Sequence, residues 1–140
     1  MPIYSTALMG TYEEFLKIFK EGDQNEISPS GRSLLFTALC NTKSKERYRI
    51  ASFLINKGID ITVMHKKEKI VSFKMLFNIG TPEMEMLPLY QLIFSQPGLP
   101  LLVKDKWGLT VIEFARRSNR TIAVKMMEDY VKKYNLKEDS

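Results

Sequence analysis

One cysteine, Cys40, is present in 140 residues, so no disulfide can close within the chain and a reducing compartment is the expected setting. Histidine and tryptophan also occur once each, as His65 and Trp107. No apolar run approaches the length of a membrane span. The opening residues, M-P-I-Y-S-T-A-L-M-G, lack the basic flank and apolar stretch of a secretion signal. A cytoplasmic location with no membrane partner is therefore expected. There is no glycine-rich phosphate loop and no pair of histidines at metal-binding spacing. No cofactor, no metal and no catalytic residue are expected from these patterns.

Charge is also in modest supply. The chain has 21 basic and 16 acidic residues, a formal net charge of +5, and neither sign is gathered into a block. No basic stripe is interleaved with aromatics, so nucleic acid is not an expected partner. What the chain does contain is ordinary for one folded domain: 44% hydrophobic and 26% charged residues, spread throughout.

The hydrophobic spacing predicts an all-α chain, with helices at about 3–9, 11–21, 34–41, 46–57, 70–79, 83–95, 111–118 and 122–134. Thr11 with Glu14 reads as a capping box, with Tyr12, Phe15, Leu16 and Phe19 facing a core. Ser33 and Thr110 are placed to cap two of the short helices. Gly22 and Gly58 are placed to stop the helices before them. Pro88 falls inside a predicted helix, early enough to be tolerated or to mark a kink.

Two of the segments repeat. Gly31-Arg32-Ser33-Leu34-Leu35-Phe36-Thr37-Ala38 and Gly108-Leu109-Thr110-Val111-Ile112-Glu113-Phe114-Ala115 share glycine, a hydroxyl residue, two apolar residues and alanine in register. They lie 77 residues apart, which is two periods of about 38, so a middle copy is expected to begin near residue 69. Helix pairs of this size cannot bury an apolar face alone and must stack on their neighbours.

These residues resemble the ankyrin repeat. Asp105-Lys106-Trp107-Gly108-Leu109-Thr110 is similar to the family's opening turn, and Leu54-Ile55-Asn56-Lys57-Gly58-Ile59-Asp60-Ile61-Thr62 to its closing segment. Leu34 and Val111 stand where the family has proline, and Phe36 and Glu113 where it has histidine. The resemblance implies a short solenoid of stacked helix-turn-helix repeats: a partial N-terminal unit over 1–27, then units at about 28–64, 65–103 and 104–136. It also implies a non-catalytic protein-binding module, similar in type to bacterial immunity proteins that neutralise a toxin. An adaptor or effector-type binder is the alternative of the same class.

In such proteins the turn tips and the exposed side of each first helix hold the partner. Carried over residue by residue, that surface takes in Ser30 and Arg32 at the first turn and Asn41 at the end of its helix. Lys67 and Lys69 follow in the middle, then Lys106, Trp107 and Leu109 at the last turn, with Glu113 and Arg117 on its helix. Trp107 is the expected anchor, because exposed tryptophan and arginine dominate interfaces; packing of its ring onto 99–103 is the competing reading. The basic loops, Lys66, Lys67, Lys69, Lys104 and Lys106, suit an acidic partner protein. A small enzyme built on Cys40 would need an electropositive, open thiol near Lys43 and Lys45, with His65 and Glu68 as the other candidate groups.

Overall fold

A computed structural model describes residues 2–29, 31–65, 67–78 and 80–138, with the backbone alone at 75 and 78. Seven α-helices occur among the described residues: α1 (Ile3–Met9), α2 (Tyr12–Ile18), α3 (Leu34–Leu39), α4 (Ser44–Asn56), α5 (Glu83–Phe94), α6 (Val111–Arg117) and α7 (Thr121–Lys133). Two 3-10 turns, Asp23–Asn25 and Lys74–Asn78, complete the order. The described residues contain no strand; β pairing among them is limited to isolated bridges between Ile27 and Ser33 and between Met64 and Val71.

The helix starts follow from local side chains. Thr11 accepts from the Glu14 N–H while the Glu14 carboxylate accepts from the Thr11 N–H, the reciprocal cap expected from the sequence. Ser33 caps α3 through the Phe36 N–H, and Thr110 with Glu113 forms a second capping box on α6. The predicted helix over 70–79 is instead the 3-10 turn Lys74–Asn78. At the position that Ser33 and Thr110 occupy, the middle segment has Val71, which has no side-chain oxygen to cap a helix start. Pro88 sits inside α5. The Met84 carbonyl loses its helical donor there, but Met84 is 68% exposed, so water can supply the bond.

Short and long helices fall into two rows. α1, α3, the 3-10 turn Lys74–Asn78 and α6 contact one another in that order, and α2, α4, α5 and α7 do the same beside them. Pairing across the rows joins α1 to α2, α3 to α4 and α6 to α7. Ala7, Ala38 and Ala115 are fully buried on the three short helices, where the absence of a larger side chain lets neighbours approach. Phe53 of α4 meets Phe15 and Phe19 edge to face, and Phe73, Phe77, Tyr90 and Phe94 form a second aromatic cluster farther along. Leu16, expected in the core, is 40% exposed on the outer side of α2.

The second row is laced by side chains that reach the next helix. Glu46 accepts from the Tyr12 N–H at 2.8 Å, and Glu83 accepts from the Ile122 and Ala123 N–H groups at 3.0 Å each, so carboxylates stand at the starts of α2 and α7. Arg47 is 2% exposed, and its guanidinium donates to the Asn41 carbonyl at 3.0 Å and to Thr81 Oγ1 at 3.2 Å, joining α4 to the approach of α5.

Candidate functional site

Three turns open onto the short-helix row, and they share a backbone frame. In the first, the Ser28 N–H donates to Arg32 O and the Gly31 N–H to Ser28 O. In the last, the Asp105 N–H donates to Leu109 O and the Gly108 N–H to Asp105 O. The middle turn runs from the His65 N–H to Ile70 O and from the Lys69 N–H back to His65 O, one residue longer. The frame needs a left-handed residue just before its closing one. Gly31 (φ 85°) and Gly108 (φ 83°) supply it freely, and Lys69 takes it at φ 57° despite its Cβ.

The last turn carries the most side-chain structure. Asp105 Oδ1 accepts from the Trp107 and Leu109 N–H groups at 2.9 Å each, and Oδ2 pairs with Lys74 Nζ at 3.3 Å. Both side chains are nearly enclosed, 12% exposed for Lys74 and 6% for Asp105. The Lys74 ammonium lies 4.5 Å from the centre of the Phe114 ring and 5.5 Å from that of Trp107, so it is held between two aromatic faces and one carboxylate. Burial works against ionising Asp105, but the Leu109 and Trp107 N–H groups and the Lys74 ammonium outweigh it and hold the carboxyl below its ordinary range. The Lys106 N–H donates to Glu68 O at 2.7 Å, which ties the last turn to the middle one.

Trp107 rests on this base and is 61% exposed; it does not fold back as core onto 99–103. Lys106 Nζ stands 5.8 Å from its ring. Arg32 is exposed at the first turn, its guanidinium 4.9 Å over Phe36. Lys67, Lys69 and Arg117 are exposed, and Leu109 is half-buried with its N–H engaged by Asp105. Ser30 and Lys66 lie outside the described residues.

Two of the expected surface residues have structural work instead. Asn41 is fully buried: Nδ2 donates to the Ala7 and Gly10 carbonyls at 3.0 and 3.2 Å, and Oδ1 accepts from the Lys43 N–H at 2.9 Å. It joins α3 to the end of α1, and no partner could reach it. Glu113 is half-buried and its carboxylate closes the Thr110 cap; the Thr110 N–H and hydroxyl, with Lys104 and Arg117 nearby, keep it ionised to lower pH than usual.

Cys40 is half-buried, and burial pushes its thiol up in pKa against the pull of Arg32, the reverse of activation. The His65 ring pairs through Nδ1 with the Glu68 carboxylate. Among the described residues no group of three His, Cys, Asp or Glu could hold a metal ion, and no helix is long and apolar enough to cross a membrane. A groove of about 420 Å³ between α2 and α4 is lined by Tyr12, Arg49, Phe53 and Lys57. Its cations are already paired, Arg49 with Glu13 at 3.0 Å and Lys57 with Glu21 at 3.1 Å.

The sequence reading did not single out Lys74, Asp105's pairing with it, or Phe114. Asp105 carried a signal, the Asp-x-x-Gly spacing of the turn. Lys74 carried none, because its partners lie 31 to 40 residues downstream.

No protein-family model matches the chain, and no curated protein does. Among solved structures, it is similar to a functionally unknown protein from Leptotrichia buccalis C-1013-b, at 39% sequence identity over 97% of this chain and 96% of that one, with a TM-score of 0.55. At that identity and coverage, this chain belongs to the same family as the Leptotrichia buccalis protein.

Proposed function

We propose that this chain is a divergent ankyrin-type solenoid and a non-catalytic protein-binding module that holds its partner along the turn edge. The recurring turn frame at Gly31, Lys69 and Gly108 and the two parallel rows of helices support the repeat reading, with units at about 28–64, 65–103 and 104–136 after a partial unit over 1–27. The observation that carries the binding reading is Trp107. The single tryptophan of the chain is 61% exposed at a turn tip whose backbone and base are fixed by Asp105, Lys74 and Phe114. A large amphipathic side chain on a rigid mount is the usual anchor of an interface.

Within that class, we propose an immunity-type role, in which the module binds one cognate toxin and blocks it. The test is capture of a stoichiometric partner by the tagged chain from cells that encode it, together with protection of a host expressing a neighbouring-gene toxin. Trp107→Ala and Lys106→Glu should abolish both. A partner held equally well by both variants would remove the turn edge from the account, and a captured partner that is no toxin would leave binding and remove immunity.

A further inference from the structure

We propose that Arg47 is the floor of an anion site between α4 and α5, and that its ligand is a carboxylate carried on an apolar body. The site lies on the row of long helices, not at the turns, and stands without the protein-binding reading above.

Lys74 and Arg47 are both drawn into the fold, and only one of them is neutralised. The Lys74 side chain, 12% exposed, has the Asp105 carboxylate at 3.3 Å. Arg47 is 2% exposed, and no carboxylate among the described residues stands at ion-pair distance from it. A buried arginine is ordinarily paired, because an uncompensated charge is costly away from water. Neutral acceptors hold this one: Asn41 O at 3.0 Å, Thr81 Oγ1 at 3.2 Å, and Ser44 Oγ and Met86 Sδ at 3.3 Å each. They fix the guanidinium without cancelling its charge. Its Nε–H is buried with no acceptor, and a buried donor of this kind calls for one. The acids close by are not that acceptor. Glu46 is taken by the Tyr12 N–H, and Glu83 by the Ile122 and Ala123 N–H groups. Glu85 is exposed. Burial pulls the Arg47 pKa down, and the Glu85 field opposes this without restoring it.

The surroundings suit an anion with an apolar body. Arg47 lines a groove of about 420 Å³ between the first turns of α4 and α5, with Ser44, Tyr48, Glu85, Pro88 and Leu89 among its other walls. That is the size of a small-molecule site. α4 is 13 residues long and no side chain caps its start, so its positive end borders the same space. A guanidinium presents Nε–H and one Nη2–H side by side, the fork that a carboxylate takes with both oxygens. Ser44 is exposed, and its hydroxyl is the acceptor that an incoming carboxylate displaces from Nη2. Tyr48, Pro88 and Leu89 then receive the apolar body. Inorganic phosphate would meet the charge and leave those walls unused. Glu85 on the same groove is the one group that repels the ligand.

The experiment uses the isotope-labelled full chain and follows the Arg47 Nε–H resonance by NMR. The probes are phenylacetate, its neutral analogue phenylacetamide, inorganic phosphate, and a peptide ending in Leu with its C-terminus free or amidated. Phenylacetate should move the resonance saturably with a Kd of about 1 mM or below. Phenylacetamide and phosphate should each bind at least about ten-fold more weakly. A free-ended peptide that outbinds both phenylacetate and its own amide assigns the carboxylate to a chain terminus; the reverse order assigns it to a free acid. Arg47→Met should abolish binding. Glu85→Gln, an exposed change, should tighten it about three-fold, and Lys125→Glu on α7 should leave it unchanged. Equal binding of phenylacetate and phenylacetamide, or no saturable shift up to about 10 mM, would overturn the proposal. So would weaker binding or a lowered melting temperature in Glu85→Gln, which would make Glu85 the counter-charge of Arg47.

Discussion

The first and last turns are built on one backbone frame and finished differently. In each, the opening residue closes the loop through its own N–H and carbonyl and then accepts the fifth residue's N–H on its side chain: Ser28 Oγ from Arg32 at 3.1 Å, Asp105 Oδ1 from Leu109 at 2.9 Å. A hydroxyl does this with one oxygen. A carboxylate has a second oxygen free for a cation, and Asp105 uses it to hold Lys74 beneath Trp107 and Phe114. On the proposed reading, the repeated frame is scaffold and the difference between the two turns marks the binding surface.

The largest test of that difference is Asp105→Ala against Ser28→Ala. Removing Asp105 strands two N–H groups and an almost buried ammonium, and should cost about 3 kcal/mol in chemical denaturation. Removing the Ser28 hydroxyl should cost about 1 kcal/mol. Equal losses would mean that the carboxylate adds nothing the hydroxyl lacks.

Next in size are the left-handed corners. Gly108→Ala places a Cβ at φ 83° with no neighbouring atom within 4 Å, so backbone strain alone should cost about 1 kcal/mol. Lys69→Gly should act in the opposite sense and stabilise by up to about 1 kcal/mol, because Lys69 already bears that strain at φ 57°. Thermal melts of the two variants should shift in opposite directions; a shared sign would break the equivalence of the three turns.

Acid should separate the two ends. The Asp105 carboxyl is held below its ordinary value, so its contribution is present above about pH 4, the unfolded value, and fades as pH falls through the folded one. Ser28 does not titrate. Trp107 emission should therefore change below about pH 4 while exchange protection of the Arg32 N–H persists. Simultaneous loss at both turns would point to global unfolding instead. The smallest stability effect belongs to Trp107→Ala, which removes an exposed ring and should shift stability by only about 0.5 kcal/mol, even though it is expected to abolish partner capture.

Much of the helical framework was legible because its signals are local. Thr11 with Glu14, Ser33 and Thr110 announce helix starts within three residues, and the structure uses all of them. The spacing between Gly31 and Gly108 pointed to residue 69 as a third start, and Lys69 holds the same left-handed corner. The middle unit was harder to read because Val71 cannot cap, so a pattern with helical periodicity yields only the 3-10 turn Lys74–Asn78. Asn41 looked like a surface residue because it follows a short helix. Its burial depends on carbonyls of Ala7 and Gly10, 34 and 31 residues away, which no local pattern reports. Lys74 was invisible for the same reason, since a lysine in an apolar stretch gives no sign of the aspartate and aromatics that will enclose it.

The most direct measurement of the central claim is quantitative partner capture by the wild-type chain, Trp107→Ala, Lys106→Glu and the control Lys125→Glu, under conditions where all four give the same helical circular dichroism. The account predicts one stoichiometric protein retained by the wild type and by Lys125→Glu and absent from both turn variants. Retention by all four chains, or by none, would contradict it.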